Sequence, residues 1–371
     1  MRKNFVLLVL IVLCFVGCLM SVAAMLSGCA KGVKLIPVPT LSPSPTPTPT
    51  ISATPTGTPT NSATPTKSAT PSPSATPVHG SWTSVGGAHS GNLRSIDFVS
   101  ENEGWIVGEH KIVYHSTDSG STWNSVDITS TGVSPDAHLN DVLFVNQNIG
   151  YIALDSSASI TYIKTTDEGA TWIPKAIEGS GNHIFFIGTQ EGWIADAHIR
   201  KTIDGAVTWL GQDITIDGHY PIINDVFIIS PEGWVAGQNG TIGYWSGPGA
   251  TEWISQESHT SEDLSSIYCI SSHEGWAAGN NGAVIHTSNG ITWEAQAMHT
   301  STTFNGIYFV SSKEGFIAAD NGIWHTIDGG NNWSQQYYAS FTKMRSIFFY
   351  NHDINQGWAC GEGGIVLRYT P

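Results

Sequence analysis

The chain has 371 residues, with 15 Lys and Arg against 30 Asp and Glu. Five of the basic residues and none of the acids precede residue 78, so the remainder carries 10 against 30, a net −20. A surface of that sign repels phosphate backbones, and nucleic acid is not expected as a partner.

The first element is an export leader, residues 1–28. Arg2 and Lys3 precede an uncharged apolar run from Phe5 to about Met25, followed by Leu26-Ser27-Gly28-Cys29. A basic start, an apolar core and small residues at the cut make a signal peptide. Leu-Ser-Gly-Cys resembles the bacterial lipobox, which implies that Cys29 becomes the lipid-modified first residue. The alternative is an uncleaved membrane-spanning helix, since the run is long enough to cross a bilayer. Both readings put the rest of the chain outside the cytoplasmic membrane, at the cell surface.

Residues 29–78 read as a linker. Residues 35–77 hold 12 of the 18 prolines, mixed with Thr, Ser and Ala and no acid. Such a segment cannot bury enough apolar surface to offset its chain entropy. Proline holds it near polyproline II, at roughly 3.1 Å per residue, a full reach on the order of 130 Å.

Residues 79–371 are repetitive. A Gly-aromatic step recurs at Gly104-Trp105, Gly150-Tyr151, Gly192-Trp193, Gly233-Trp234, Gly275-Trp276, Gly315-Phe316 and Gly357-Trp358, spaced by 46, 42, 41, 42, 40 and 42 residues. That is the length of one four-stranded propeller blade. In one unit, Leu264–Ile270 alternates as an inner strand, Trp276 lies in the second strand, and Asn280-Asn281-Gly282 makes the next turn. Before the fourth strand comes a second signature, as in STDSGSTW at 116–123, TTDEGATW at 165–172, TIDGAVTW at 202–209 and TIDGGNNW at 326–333. TSNGITW at 287–293 is one residue shorter, and SGPGATEW at 246–253 lacks the Asp. This is the Asp-box pattern, whose hydroxyl and carboxylate bind local backbone while Gly takes the left-handed turn and Trp is buried. Its aspartates are expected to be structural.

Six boxes serve seven Gly-aromatic steps. The last repeat stops at Tyr369-Thr370-Pro371, and Gly80–Val85 looks like a fourth strand without partners. An all-β, seven-bladed β-propeller of four-stranded antiparallel blades is therefore expected, its N-terminal strand completing the last blade and leaving no free edge. Cys269 and Cys360 fall in non-adjacent blades and read as buried free thiols.

The combined unit, an inner strand, Glu-Gly-Trp-x-x-Gly, Asn-Gly and the Asp-box Trp, resembles the photosystem II stability/assembly factor family of propellers over essentially all of 79–371. The resemblance implies a non-enzymatic assembly or protein-binding role with no cofactor. The family's arginine-rich patch has little counterpart, because only Arg94, Arg200, Arg345 and Arg368 follow residue 78. A carbohydrate-binding protein, or a glycoside hydrolase of the sialidase kind, is the alternative, since such enzymes also use Asp-box propellers. A sialidase pocket, however, needs three convergent arginines and a tyrosine nucleophile, and no catalytic residue is assigned.

The candidate partner contacts are Arg94 and Arg345, early in the inner strands of the first and last blades, which become neighbours on closure. Asn140, Asn224, Ser265 and Asn305 hold the same position elsewhere, so a polar collar is expected at one channel mouth, facing a protein or a glycan. Glu103, Glu191, Glu232, Glu274 and Glu314 recur in the first turns and read as a solvated ring. No metal is expected, because His115, His286 and His325 are spread one per blade. The protein is expected to be monomeric.

Overall fold

The computed structural model describes residues 80–371, apart from 87–88, 156–159, 178, 216–218 and 340. The leader, Cys29 and the linker lie outside the described residues. Seven sheets, each of four antiparallel strands, follow one another along the chain, with short 3-10 turns between some strands. The seven-bladed propeller expected from the repeat is the observed fold.

The closure is also as expected. Ser81–Ser84 pairs antiparallel with Val366–Thr370, in the register Ser81–Thr370 to Ser84–Leu367. With Gly357–Gly361 and Met344–Phe349 they form the seventh blade.

Two recurrent glycine positions, the first kept in all seven repeats and the second in four, explain much of the sequence pattern. A Cβ on the first, at Gly104, Gly150, Gly192, Gly315 or Gly357, would strike the ring of the Phe at or next to the end of the same blade's inner strand: Phe98, Phe144, Phe186, Phe309 or Phe349. That Phe is itself packed against the second-strand aromatic of the preceding blade. Phe98 stacks on Trp358, Phe144 on Trp105, Phe186 on Tyr151, and Phe309 on Trp276, with ring centroids 3.6 to 4.6 Å apart. The Gly-aromatic step is thus an interface between blades. Several of its tryptophans also donate across that interface to a carbonyl of the Asp-box turn: Trp358 to Ser119 O, Trp234 to Gly290 O and Trp276 to Gly329 O.

The second glycine closes Trp-x-x-Gly. A Cβ at Gly108, Gly237, Gly279 or Gly361 would collide with the backbone carbonyl of Asn92, Ile222, Asp263 or Lys343, just before the inner strand. The cause is a β-bulge. Pairing of the first two strands slips between Leu93 and Ser95, Leu139 and Asp141, Ile223 and Asp225, Leu264 and Ser266, Phe304 and Gly306, and Met344 and Ser346.

The Asp-boxes do what their residue types predict. In the first, Gly120 N–H donates to Ser116 Oγ at 2.9 Å, while Thr122 donates through N–H and Oγ1 to the two Asp118 oxygens at 2.8 and 2.7 Å. Bonds from the Thr208 hydroxyl and its backbone N–H hold Asp204 down at about 2. In that box Ala206, at φ 66°, takes the left-handed position that Gly holds in its neighbours. Asn289 replaces Asp in the fifth box and still accepts from Thr292 N–H at 2.9 Å. Cys269 and Cys360 are free and buried, and burial pushes both thiols up.

Three of the five recurring glutamates are tied to a partner on their own blade rather than being a freely solvated ring. The third-strand side chain opposite each Gly-aromatic residue lies on that aromatic: His115 on Trp105, Lys201 over Trp193, His286 on Trp276 and His325 on Phe316. The turn glutamates bind these side chains, Glu103 to His115 at 3.1 Å, Glu191 to Lys201 at 2.6 Å and Glu314 to His325 at 3.0 Å. They anchor the stacked side chains. Sequence alone hid the pairing, because the partner sits across the hairpin.

Candidate functional site

The bulges build the channel wall. In a regular strand alternate side chains face one side, whereas a bulge lets two consecutive residues face the same way. Arg94, Asn140, Asn224, Ser265, Asn305 and Arg345 are the residues at the slips, and all line a central cavity of about 380 Å³. The candidate residues named from sequence are therefore brought together around one axis. Asn182 joins them from the third blade.

The collar is tied blade to blade. Asn140 Nδ2 donates to Gly181 O at 3.0 Å, Asn224 Nδ2 to Leu264 O at 2.9 Å and Asn305 Nδ2 to Met344 O at 2.8 Å. The two arginines behave alike. Arg94 donates to Asn140 Oδ1 at 3.1 Å and to Glu109 Oε1 at 2.9 Å, and Arg345 donates to Asn305 Oδ1 at 3.2 Å and to Glu362. Each guanidinium thus joins an amide of a neighbouring blade to a glutamate of its own. Burial works to raise Glu109, but bonds from Asn92 and Arg94 win and hold its carboxyl below the usual range. About a third of each arginine side chain stays exposed, enough to meet a ligand at the mouth.

Beneath the collar lies a second layer that sequence reading did not single out. Asp141, His183 and Asp225 come from consecutive blades, with His183 Nε2 at 3.4 Å from Asp141 Oδ2 and 3.2 Å from Asp225 Oδ1. Burial works to lower the imidazole's pKa, but the two aspartates raise it. The carboxylates also accept from the next inner strand, Ile184 N–H to Asp141 and Ile267 N–H to Asp225. A third layer holds Asp97, Leu143, Phe185, Phe227, Tyr268, Tyr308 and Phe348. The available signal was period two counted from the bulge, which puts the residues one and three positions beyond each collar residue on the same wall.

The cavity has carboxylates, phenols and hydroxyls, and Ser95 Oγ donates to Asp141 Oδ1 at 2.8 Å. Among the described residues no group of His, Cys, Asp and Glu is placed to hold a metal ion. All 14 tryptophans are described; eleven are buried, and Trp209, Trp324 and Trp333 are partly exposed.

Residues 83–132 match the sequence model of the family described as Photosynthesis system II assembly factor YCF48. The resemblance drawn from the repeat is borne out by that match. No curated protein matches the chain. Among solved structures, YCF48 bound to D1 peptide is similar at 22% identity and TM-score 0.64, covering 78% of this chain and 97% of that one. YCF48 from Cyanidioschyzon merolae is similar at 18% identity and TM-score 0.64, covering 78% and 99%. The computationally designed Ika8 protein shares 12% identity at TM-score 0.54, covering 77% and 98%. At these identities the likeness to solved structures is one of fold.

Proposed function

We propose that this chain is a non-enzymatic, protein-binding propeller that recognises a polypeptide segment at its collar mouth, held outside a membrane by lipid on Cys29. The observation that carries the reading is the collar itself. Six bulge residues and Asn182 present amides, a hydroxyl and two arginine side chains about a third exposed on one rim. Connections between blades lead into the starts of the inner strands, where the collar residues lie, and their sequences differ from one another, whereas the first turns and Asp-box turns repeat. Variable loops on a rigid repeat scaffold are where recognition usually sits. YCF48, a propeller of similar fold, is solved bound to D1 peptide, in keeping with a polypeptide ligand.

The arginines favour an acidic segment. Each already serves one glutamate, so a ligand carboxylate would share the guanidinium fork rather than neutralise a bare charge. The test is selection from a displayed peptide library on the intact protein, followed by affinity measurement. Selected peptides should be enriched in Asp, Glu or a free C-terminus and should lose affinity in Arg94→Ala/Arg345→Ala. Peptides that bind both proteins equally, or selection of glycans in place of peptides on parallel arrays, would overturn the reading.

A further inference from the structure

The floor of the channel carries a group that the collar reading does not use. Asp97 is the third-layer residue of the first blade, 7% exposed, and its carboxylate lines the cavity. The bonds it receives are from backbone N–H groups, that of Phe144 to Oδ2 at 2.7 Å and that of Phe98. No Lys, Arg or His forms an ion pair with it among the described residues. Asp141 and Asp225 differ in this respect, because His183 bridges them. The other ring nitrogen of His183, Nδ1, is buried on the same wall without a hydrogen-bond partner among the described residues.

The rest of the third layer is aromatic. Phe185, Phe227, Tyr268 and Tyr308 come from four consecutive blades, with successive ring centroids 5.5, 4.7 and 4.3 Å apart. They form an arc that shares the floor with Asp97. His352, from the first turn of the seventh blade, meets Tyr268 Oη at 3.1 Å and so reaches across the sixth blade. A buried carboxylate without a counter-ion is costly, and the faces of aromatic rings attract cations. About 380 Å³ lies within the range of small-ligand sites, roughly 300–1,000 Å³.

We propose that the channel is a binding site for an alkylammonium group, which enters at the collar, pairs with Asp97 and lies against the Tyr268–Tyr308 side of the aromatic arc. The group is either that of a free aliphatic amine or that of a lysine side chain on a polypeptide. The site stands independently of the collar reading, because its determinants lie two layers below the arginines.

The experiment titrates the intact protein with n-butylammonium, with its neutral isostere n-butanol, and with the peptide Gly-Lys-Gly, followed by calorimetry or NMR shifts. Wild type should bind n-butylammonium or the lysyl peptide saturably and at least tenfold more tightly than n-butanol. Asp97→Asn, which keeps an oxygen for the Phe144 N–H, should remove that preference, whereas Arg94→Ala/Arg345→Ala should retain it. Binding by the amine assigns a free ligand, and binding by the peptide alone assigns a polypeptide one. Two results would overturn the proposal: equal affinity for n-butylammonium and n-butanol in wild type, or an ammonium preference that survives Asp97→Asn. Absence of saturable binding by both cations up to roughly tens of millimolar, where an interaction is worth less than about 3 kcal/mol, would do the same.

Discussion

Trp82 lies opposite Tyr369 across the strand pair that closes the ring, with their ring centroids 5.1 Å apart. Its indole N–H donates to Gln336 Oε1 at 3.0 Å in the sixth blade, and it packs edge-on against Phe316 and Phe349. One side chain near the start of the described chain thus joins the last blade to the one before it.

Trp82→Ala is therefore expected to lower stability by about 3–5 kcal/mol, the usual cost of truncating a buried aromatic. Denaturant unfolding measures it. Deleting residues 80–85 should do more, because the seventh blade would then also expose the edge of Val366–Thr370. An unchanged unfolding transition in the deletion variant would mean that the first strand does not close the ring.

Asp97 predicts a pH dependence. Burial is the main cause that pushes its carboxyl up to about 7, backbone bonds oppose it, and the charge of Asp141 adds to it. Tyr308 also faces it. The folded value exceeds the unfolded one of about 4, so the native state holds the extra proton between those values. Stability should accordingly fall as pH rises from about 4 to about 7. His183 acts in the same direction, because its raised value stabilises the fold at low pH and that contribution is lost as pH rises through its folded pKa. Asp97→Asn should melt several degrees above wild type at pH 8 and show little difference at pH 4. Equal melting temperatures at pH 8 would refute the assignment.

On the acid side the Asp-boxes dominate. Asp118, Asp167, Asp204 and Asp328 are all held below the usual carboxylate range by bonds within their own turns. A depressed folded value gives stability that is present above about 4 and lost as pH falls through the folded value. Unfolding should steepen between pH 4 and pH 2, and Asp204→Asn should lessen that slope without affecting the pH 5–8 region. The melting temperature as a function of pH reads both.

The collar arginines should matter little for folding. Each pair is about a third exposed, and such pairs contribute about 0–1 kcal/mol. Arg94→Ala/Arg345→Ala should melt near wild type yet weaken an acidic peptide by about 1.5–3 kcal/mol for each charge-assisted bond lost. Glu232→Ala/Glu274→Ala, in the first turns, is the control. Equal effects of the two pairs on affinity would leave recognition to the loops.

Anchoring is tested by Cys29→Ala. Loss of the thiol should abolish fatty-acid labelling and leave the leader uncleaved. A mature N-terminus elsewhere than Cys29, or unlabelled wild type, would point to the uncleaved helix.

The repeat was legible because its determinants are local or strictly periodic. Gly104-Trp105 and its equivalents, together with the Asp-box hydroxyls and carboxylates, act within a few residues or one blade away. Blade number, strand order and closure follow from counting them. The collar was legible in part, since Arg94 and Asn140 share a repeat position. The partners of these residues were not legible. Glu109 meets Arg94 across a hairpin, Glu103 meets His115 the same way, and Asp141, His183 and Asp225 converge from three blades. Those contacts depend on where the bulges at Leu93/Ser95 and Leu139/Asp141 turn consecutive side chains onto one wall, and on the radius at which seven sheets close. Such distances belong to the packed ring. No single repeat contains them, so only the tertiary structure decided that one buried aspartate, Asp97, would lie among aromatic rings on the channel floor.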